Sequence, residues 1–392
     1  MSYWVILGSG YIGTHLAKSL LADGQQVLAC ARNKSKLEVL EALGADTYQF
    51  EATRRNAFHY AMGNARSPIV VYSLPPYPGL PGGELLSRAT SESLAVGASR
   101  FVYLSSTAVY GEGQDGVTVD EDSPTSPELD DADARPYVSA EGAVEDARVK
   151  GLDAIILRLS PVYGSGRGVR PKIESGKYKL LDDGRHVYSR IHVADVVNII
   201  RTAVERAPTN ATYCLGDDRP CPQREYAEWL SRHLNVRMPT SVPTLASGMP
   251  RRRIRNRAVS NGKLKRELDY VFLHPTYREG ELAIDRALGK EAVDEGPPPL
   301  VIHRADAMAD FAKNTKLMHL GVRVFDVPTE TSIRIEARGD IALYVLDGSI
   351  VADNSGDKVE LKAGDLVEIP SAGLGLQGKG KPARVFEIRG RR

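Results

Sequence analysis

The sequence predicts an α/β doubly wound parallel sheet followed by a separate all-β unit. Three observations carry this. A glycine-rich turn stands between an apolar run and a helical pattern at the start of the chain; β-like runs then alternate with helical stretches up to about residue 288. Beyond a proline-rich segment, short β runs succeed one another without long helices.

The opening run Tyr3–Leu7 reads as a strand, and Gly8-Ser9-Gly10-Tyr11-Ile12-Gly13 as the turn after it. Leu16, Ala17, Leu20 and Leu21 then recur at helical spacing until Asp23-Gly24 stops them, and Gln26–Ala31 forms a second strand. In a strand-turn-helix-strand unit of this kind Gly8 permits the bend, Gly10 lets backbone approach a pyrophosphate, and Gly13 lets helix and strand pack closely. All six turn residues are therefore expected to bind a dinucleotide, whose phosphates would face the free N–H groups of the helix start. The second strand ends in Arg32-Asn33-Lys34, without the acid that accepts from a ribose 2′-hydroxyl in NAD sites. Arg32 would pair with a 2′-phosphate, with Lys34 assisting, so NADP is the expected cofactor. Further strands are expected at Ile69–Leu74, Phe101–Leu104 and Ala154–Leu159. Ligands sit at strand carboxyl ends in this architecture, which adds Ser73 and Leu74 to the cofactor contacts.

Composition sets the outer limits. The 392 residues are 42% hydrophobic and 26% charged, which excludes disordered, collagen-like and fibrous classes. Lys and Arg number 51 against 50 Asp and Glu, so no overall basic field draws the chain to nucleic acid or an anionic membrane. Any anion must be held locally. Cys30, Cys214 and Cys221 form neither a CxxC motif nor a paired framework and read as buried small side chains in a reducing compartment. No apolar run approaches the ~20 residues that cross a bilayer, and Met1–Gly8 lacks the basic region and cleavage site of a secretion signal. A cytoplasmic location is expected.

Four more segments carry the chemistry: Ser105-Ser106-Thr107-Ala108-Val109-Tyr110-Gly111, Pro136-Tyr137, Leu157–Gly164 and Arg190–Val196, with a late Ser260–Leu268. With the glycine turn, these ordered motifs resemble the extended short-chain dehydrogenase/reductase family, whose members include nucleotide-sugar epimerases and dehydratases. The resemblance covers residues 1 to 288 and implies a Rossmann sheet with a small substrate part, mainly 165–190 and 220–288. It implies that Ser106 hydrogen-bonds the substrate oxygen, that Tyr137 touches the cofactor and acts as general acid or base, and that Thr107 is the alternative to Ser106 and a substrate contact. Where the family has a lysine, four residues after the tyrosine, this chain has Glu141. An anion opposes phenolate formation where the lysine favours it. Three readings follow: Tyr137 is a neutral proton donor in a reduction, a cation of the substrate or of another chain replaces the lysine, or hydride chemistry is lost and the domain only binds NADP. His192 and Asp195 read as a structural strand-to-helix turn. The acidic stretch Asp115–Asp133 reads as a solvated cover loop or as a surface for an amino-bearing substrate.

The run Arg251–Arg257 is the densest positive charge in the chain. It is either a solvated basic segment or a phosphate clamp in which Arg253 and Arg255 hold a substrate diphosphate. Residues 289–299 read as a linker, since Pro297-Pro298-Pro299 cannot continue a helix. After it, β runs at Ser332–Ala337, Ile341–Leu346 and Leu366–Ile369 are separated by hairpin-like turns that include Asp347-Gly348. Tyr344–Ile350 and Lys362–Pro370 resemble the two core motifs of a cupin, which implies a cupin-like barrel over 300–392. The metal-binding histidines of active cupins are missing, because no histidine follows His319. Asp365 and Glu368 make a poor transition-metal set, and no metal is expected. Ligand binding, shaping of the active site, or pairing into a homodimer through sheet edges is the expected role. The expected function is NADPH-dependent reduction or isomerisation of a small polar carbonyl or imine substrate, such as a sugar nucleotide or specialised metabolite. The rival is a non-catalytic NADP-binding regulator or assembly partner.

Overall fold

A computed structural model describes residues 2–77, 79–111, 116–125, 134–243, 256–289, 302–303, 320–329, 332–335, 341–354, 357–363, 365–368 and 374–390. The chain divides into two compact units, Met1–Ala292 and Val293–Arg392.

In the first unit seven strands make one parallel sheet: β1 (Tyr3–Leu7), β2 (Gln26–Ala31), β3 (Asp46–Gln49), β4 (Ile69–Tyr72), β5 (Arg100–Ser106), β6 (Ala154–Leu159) and β7 (Thr212–Leu215). Their order across the sheet is β7-β6-β5-β4-β1-β2-β3. The chain reverses direction of travel between β1 and β4, and the crevice at that switch point is where such sheets bind ligands. The opening strand is apolar throughout because helices cover both faces. Trp4 and Ile6 enter one core with Leu16 and Leu20 of helix α1 (Tyr11–Ala22), whereas Val5 and Leu7 enter the other with Phe58, Leu86 and Val144. Strand β4 ends at Tyr72, two residues earlier than the sequence predicts. Ser73 still donates to Leu7 O, and the prolines 75 and 76 then take the chain out of the ladder. Strand β5 extends to Ser106, pairing Ser105 and Ser106 with Arg158 and Leu159 of β6.

The helices that matter below are α2 (Lys34–Glu41), α3 (Ala57–Met62), α4 (Glu84–Ala95) and α5 (Arg135–Val149). After them come the short α6 (Arg170–Glu174), α7 (Val193–Arg206), α8 (Gln223–His233), α9 (Gly262–Leu268) and α10 (Tyr277–Ala287). Helices α6, α8 and α10 enclose a separate aromatic core of Tyr163, Tyr226, Trp229 and Tyr277. Buried charge crosses it: Arg170 pairs with Glu281 at 3.1 Å and with Asp285, which also meets His233 at 2.5 Å. Nearby Asp217 is almost fully buried; its Oδ1 accepts from Arg219 N, and its Oδ2 has no hydrogen-bond partner among the described residues. Burial pushes this carboxyl up to about 8, against the opposing attraction of the Arg190 guanidinium. All three cysteines are buried and unpaired by disulfide.

Among its described residues the second unit has two antiparallel sheets, one of five strands and one of four, around a single core that includes Leu343, Val345, Ile350, Ala352 and Leu374. Alternate residues face inward, as period-two strands require. Asp347-Gly348 does not close a hairpin as its sequence suggests: Ile341–Asp347 belongs to the five-stranded sheet and Ser349–Asn354 to the four-stranded one. Gly348, at φ +83°, turns the chain from one sheet into the other. Ser349–Asn354 and Asp357–Lys362 do pair as a hairpin. Asp365 is buried, and its carboxylate accepts from Lys362 N at 2.9 Å, which makes it a turn-former.

Asp217 gives a pH test. An unfolded chain releases its proton near pH 4, whereas the folded one holds it to about 8. The native state therefore binds more protons between these values, and stability falls as pH rises through them. Urea denaturation of Asp217→Asn from pH 4 to 8 is expected to show a shallower fall than the wild type; parallel slopes would refute the assignment.

Candidate active site

Gly8 N and Ser9 N both donate to Cys30 O, at 3.1 and 2.7 Å, which fixes the turn against the end of β2. A Cβ on Gly13 would lie 2.4 Å from Gly8 O, so only glycine lets α1 pack this closely on the turn. At Gly10 a Cβ would meet nothing within 4 Å, and no side chain caps the start of α1. Ser9 is buried with an Oγ that has no partner among the described residues. An open backbone approach, uncapped N–H groups and an orphaned hydroxyl fit a phosphate-bearing ligand.

Two cavities open from this turn, of about 230 and 370 Å³, and both are lined by Gly10, Ser73, Leu74 and Pro75. The first carries Gly8, Ser9, Arg32 and Asn33. Asn33 has a second task, capping α2 through its side chain, which accepts from Ser35 N at 2.9 Å. Lys34 is not in this lining: its ammonium stands on the exposed face of α2, 3.8 Å from Glu38. Lys36, one residue pair further along the first turn, lines the cavity in its place, together with Phe50 and Glu51 from the end of β3. The register of α2, set by the cap at Asn33, decides this.

The second cavity is lined by Tyr11, Ile12, Ser106 and Tyr137. Ser106 ends β5 and caps a single 3₁₀ turn, accepting from Ala108 N at 3.1 Å. Thr107, the alternative to Ser106, is buried outside the lining, because the turn rotates it away from the strand end. Tyr137 enters from the first turn of α5. Arg253 and Arg255 lie outside the described residues, as does the acidic segment 126–133.

Glu141 departs from the simple electrostatic reading. It is buried, one turn along α5 from Tyr137, and it is not an isolated anion. Arg158 from β6 grips both its oxygens, with the shortest contact 2.8 Å, and Ser105 Oγ donates to Oε1 at 2.6 Å. Burial opposes the charge on Arg158, but the Glu141 hydrogen bonds and charge outweigh it and hold the guanidinium above its ordinary value. Arg158 also donates to Tyr110 Oη at 2.8 Å, and that hydroxyl lies 2.9 Å from Cys214 Sγ. Below the cavity, then, sits a charge-neutral pair rather than the uncompensated negative charge expected from Glu141 alone. Nothing in the spacing of Arg158 along the sequence announces its partner on another element.

His192, Asp195 and His274 bring possible ligand atoms within 4.8 Å of one another. Asp195 is wholly buried and already accepts from Tyr270 Oη, Leu273 N, His274 N and His274 Nδ1, at 2.7 to 3.1 Å. His192 caps α7 through Nδ1, and burial, reinforced by His274, lowers its pKa to about 4. These groups hold the start of α7 against the 270–274 segment.

Residues 84–216 match the NAD dependent epimerase/dehydratase family. The seven-stranded parallel sheet has the Rossmann-like order that such a match implies. Among curated proteins, the chain is 26% identical over 243 residues to the 4-hydroxy-2-methyl-3-oxo-4-farnesyl-3,4-dihydroquinoline-1-oxide ketoreductase of Stigmatella aurantiaca, covering 58% of this chain and 71% of that protein. It is 25% identical over 279 residues to Protein YeeZ of Escherichia coli K12, covering 69% and 95%. A conserved protein of unknown function from Silicibacter pomeroyi DSS superposes with a TM-score of 0.63 at 26% identity, over 73% of this chain and 99% of that one. MoeE5 in complex with UDP-glucose and NAD shares the fold, with a TM-score of 0.60 at 21% identity over 74% and 100% of the two chains. No helix among the described residues is long and apolar enough to cross a membrane.

The ion pair yields a stability test. Glu141→Ala leaves Arg158 buried without its partner and is expected to cost about 3–5 kcal/mol, and Glu141→Lys at least as much because two cations then meet. Removing both charges in Glu141→Gln/Arg158→Gln should cost much less than the sum of the single changes. Additive losses in chemical denaturation would show that the pair does not couple.

Proposed function

We propose that the first unit is an NADP(H)-dependent oxidoreductase that reduces, or isomerises through reduction, a small polar carbonyl or imine compound. The observation that carries this is the pair of cavities that share Gly10, Ser73, Leu74 and Pro75: one bears the cations Arg32 and Lys36, the other the hydroxyls of Ser106 and Tyr137. The two halves suit the adenosine phosphate and the reactive end of one dinucleotide, across a turn shaped for its diphosphate. Gly8 to Gly13, Arg32, Asn33, Lys36, Ser73 and Leu74 would hold it.

When bound, the reduced nicotinamide supplies hydride. The chain supplies the rest. Ser106 Oγ donates a hydrogen bond to the substrate oxygen or nitrogen, which polarises the acceptor carbon, and Tyr137 Oη delivers the proton that this atom takes up. A neutral Glu141–Arg158 pair provides no net cation to stabilise phenolate, so Tyr137 serves as a phenol that gives up a proton, and reduction is the favoured direction. Glu141 thus acts through structure and not at the reacting atoms. The likeness to a ketoreductase supports the reductive reading, and the fold shared with MoeE5 keeps sugar nucleotides in the substrate class. The all-β unit is assigned ligand binding or the pairing of two chains into a homodimer.

Two measurements test this. Tyr137→Phe is expected to lower carbonyl reduction by about 10²- to 10⁴-fold while leaving NADP⁺ affinity within about threefold; NADPH binding without turnover of any carbonyl or sugar-nucleotide substrate would favour a sensor. Arg32→Asp should weaken NADP⁺ about tenfold or more relative to NAD⁺ by calorimetry, and an unchanged ratio would remove the basis for the phosphorylated cofactor.

A further inference from the structure

One feature of the second cavity has no part in that chemistry. Among the described residues Arg167 is the only charged one in its lining. The exposed guanidinium pairs with no carboxylate among the described residues, and lies 5.0 Å from the centre of the Tyr11 ring. Many other arginines of this unit, Arg100, Arg158, Arg170 and Arg219 among them, are matched to acids.

Its position is built rather than incidental. Gly164 N donates to Arg167 O at 3.3 Å and Arg167 N to Gly164 O at 3.0 Å, which closes a tight turn. Tyr11 Oη donates to Ser165 O at 3.1 Å and ties that turn to α1. A Cβ at Gly164 would lie 2.4 Å from Tyr11 Oη and 2.8 Å from Val193 Cγ1, so no larger residue lets the turn sit there. The aromatic face under the guanidinium leaves its N–H fork available to a ligand. Ser160, in the same lining, is 2% exposed, and its Oγ has no hydrogen-bond partner among the described residues. The other polar side chains of the lining are hydroxyls, which bind without selecting for charge.

We propose that Arg167 anchors a carboxylate or phosphate of the substrate, so that this site takes anionic carbonyl compounds. The inference rests on the reductase reading of the groove. The same chemistry has one other source, the diphosphate of the dinucleotide, and the test separates the two.

Acetoacetate and methyl acetoacetate are ketones that differ by one carboxylate charge. Their binding to the NADP⁺-loaded full chain is compared, by calorimetry or ligand-observed NMR, for the wild type, Arg167→Ala and Arg167→Lys, beside a titration of NADP⁺ itself. The wild type should bind acetoacetate about tenfold or more tightly than the ester, consistent with a charge-assisted contact. Arg167→Ala should erase that preference, Arg167→Lys should keep part of it, and both should hold NADP⁺ within about threefold of the wild type. A tenfold loss of NADP⁺ affinity in Arg167→Ala assigns the guanidinium to the dinucleotide and overturns the proposal. So does a wild type that treats the two ketones alike, or a preference that survives in Arg167→Ala. Failure of the wild type to bind either nicotinamide dinucleotide sinks the reductase reading separately, and the two-ketone comparison on the unloaded protein still decides the role of Arg167.

Discussion

Close contact between the start of α1 and the end of β1 is the constraint on which the groove depends. Gly13 lies against the Gly8 carbonyl at a distance no side chain permits. That contact draws the helix start into the crevice beside β4, where Ser73, Leu74 and Pro75 leave the sheet. One backbone approach therefore creates both cavities and their shared wall. Moving α1 outward by the width of a methyl group would separate the uncapped N–H groups from the strand ends that face them.

A second constraint lies beneath the reactive half. Glu141 and Arg158 are taken from α5 and β6 and meet in the interior, where Ser105 completes the coordination of the carboxylate. Neither charge is tolerable alone at that depth, and together they present almost no net field to the cavity above. Tyr110, on the far side of Arg158, accepts from the guanidinium and donates to Asp120 O, so the network also fastens the loop after the 3₁₀ turn. Glu141 is in this way part of the scaffold.

Much of this was legible in residue order. The βαβ opening, the strand limits Tyr3–Leu7, Gln26–Ala31 and Ala154–Leu159, and the close packing at Gly13 followed from patterns within a dozen residues, because local sterics and period-two or helical burial act at that range. Side-chain direction was less accessible. Lys34 and Lys36 differ only in which face of α2 they occupy, and Ser106 and Thr107 only in how a 3₁₀ turn follows a strand. The Asp347-Gly348 turn has the sequence of a hairpin, yet its flanking strands pair with other partners, since sheet membership is set by neighbours far along the chain.

The architecture of the first unit, the place of the glycine turn, and the hydroxyls at the carboxyl end of β5 could all be read from residue order. These depend on hydrophobic periodicity and on the backbone freedom of glycine, both of which are properties of short segments. Packing alone settled that Glu141 is neutralised by Arg158, 17 residues away, and that Arg167, among the described residues, is the one charge in the lining of the second cavity. Electrostatic partnership depends on distance through space, and the packing of separate elements sets that distance.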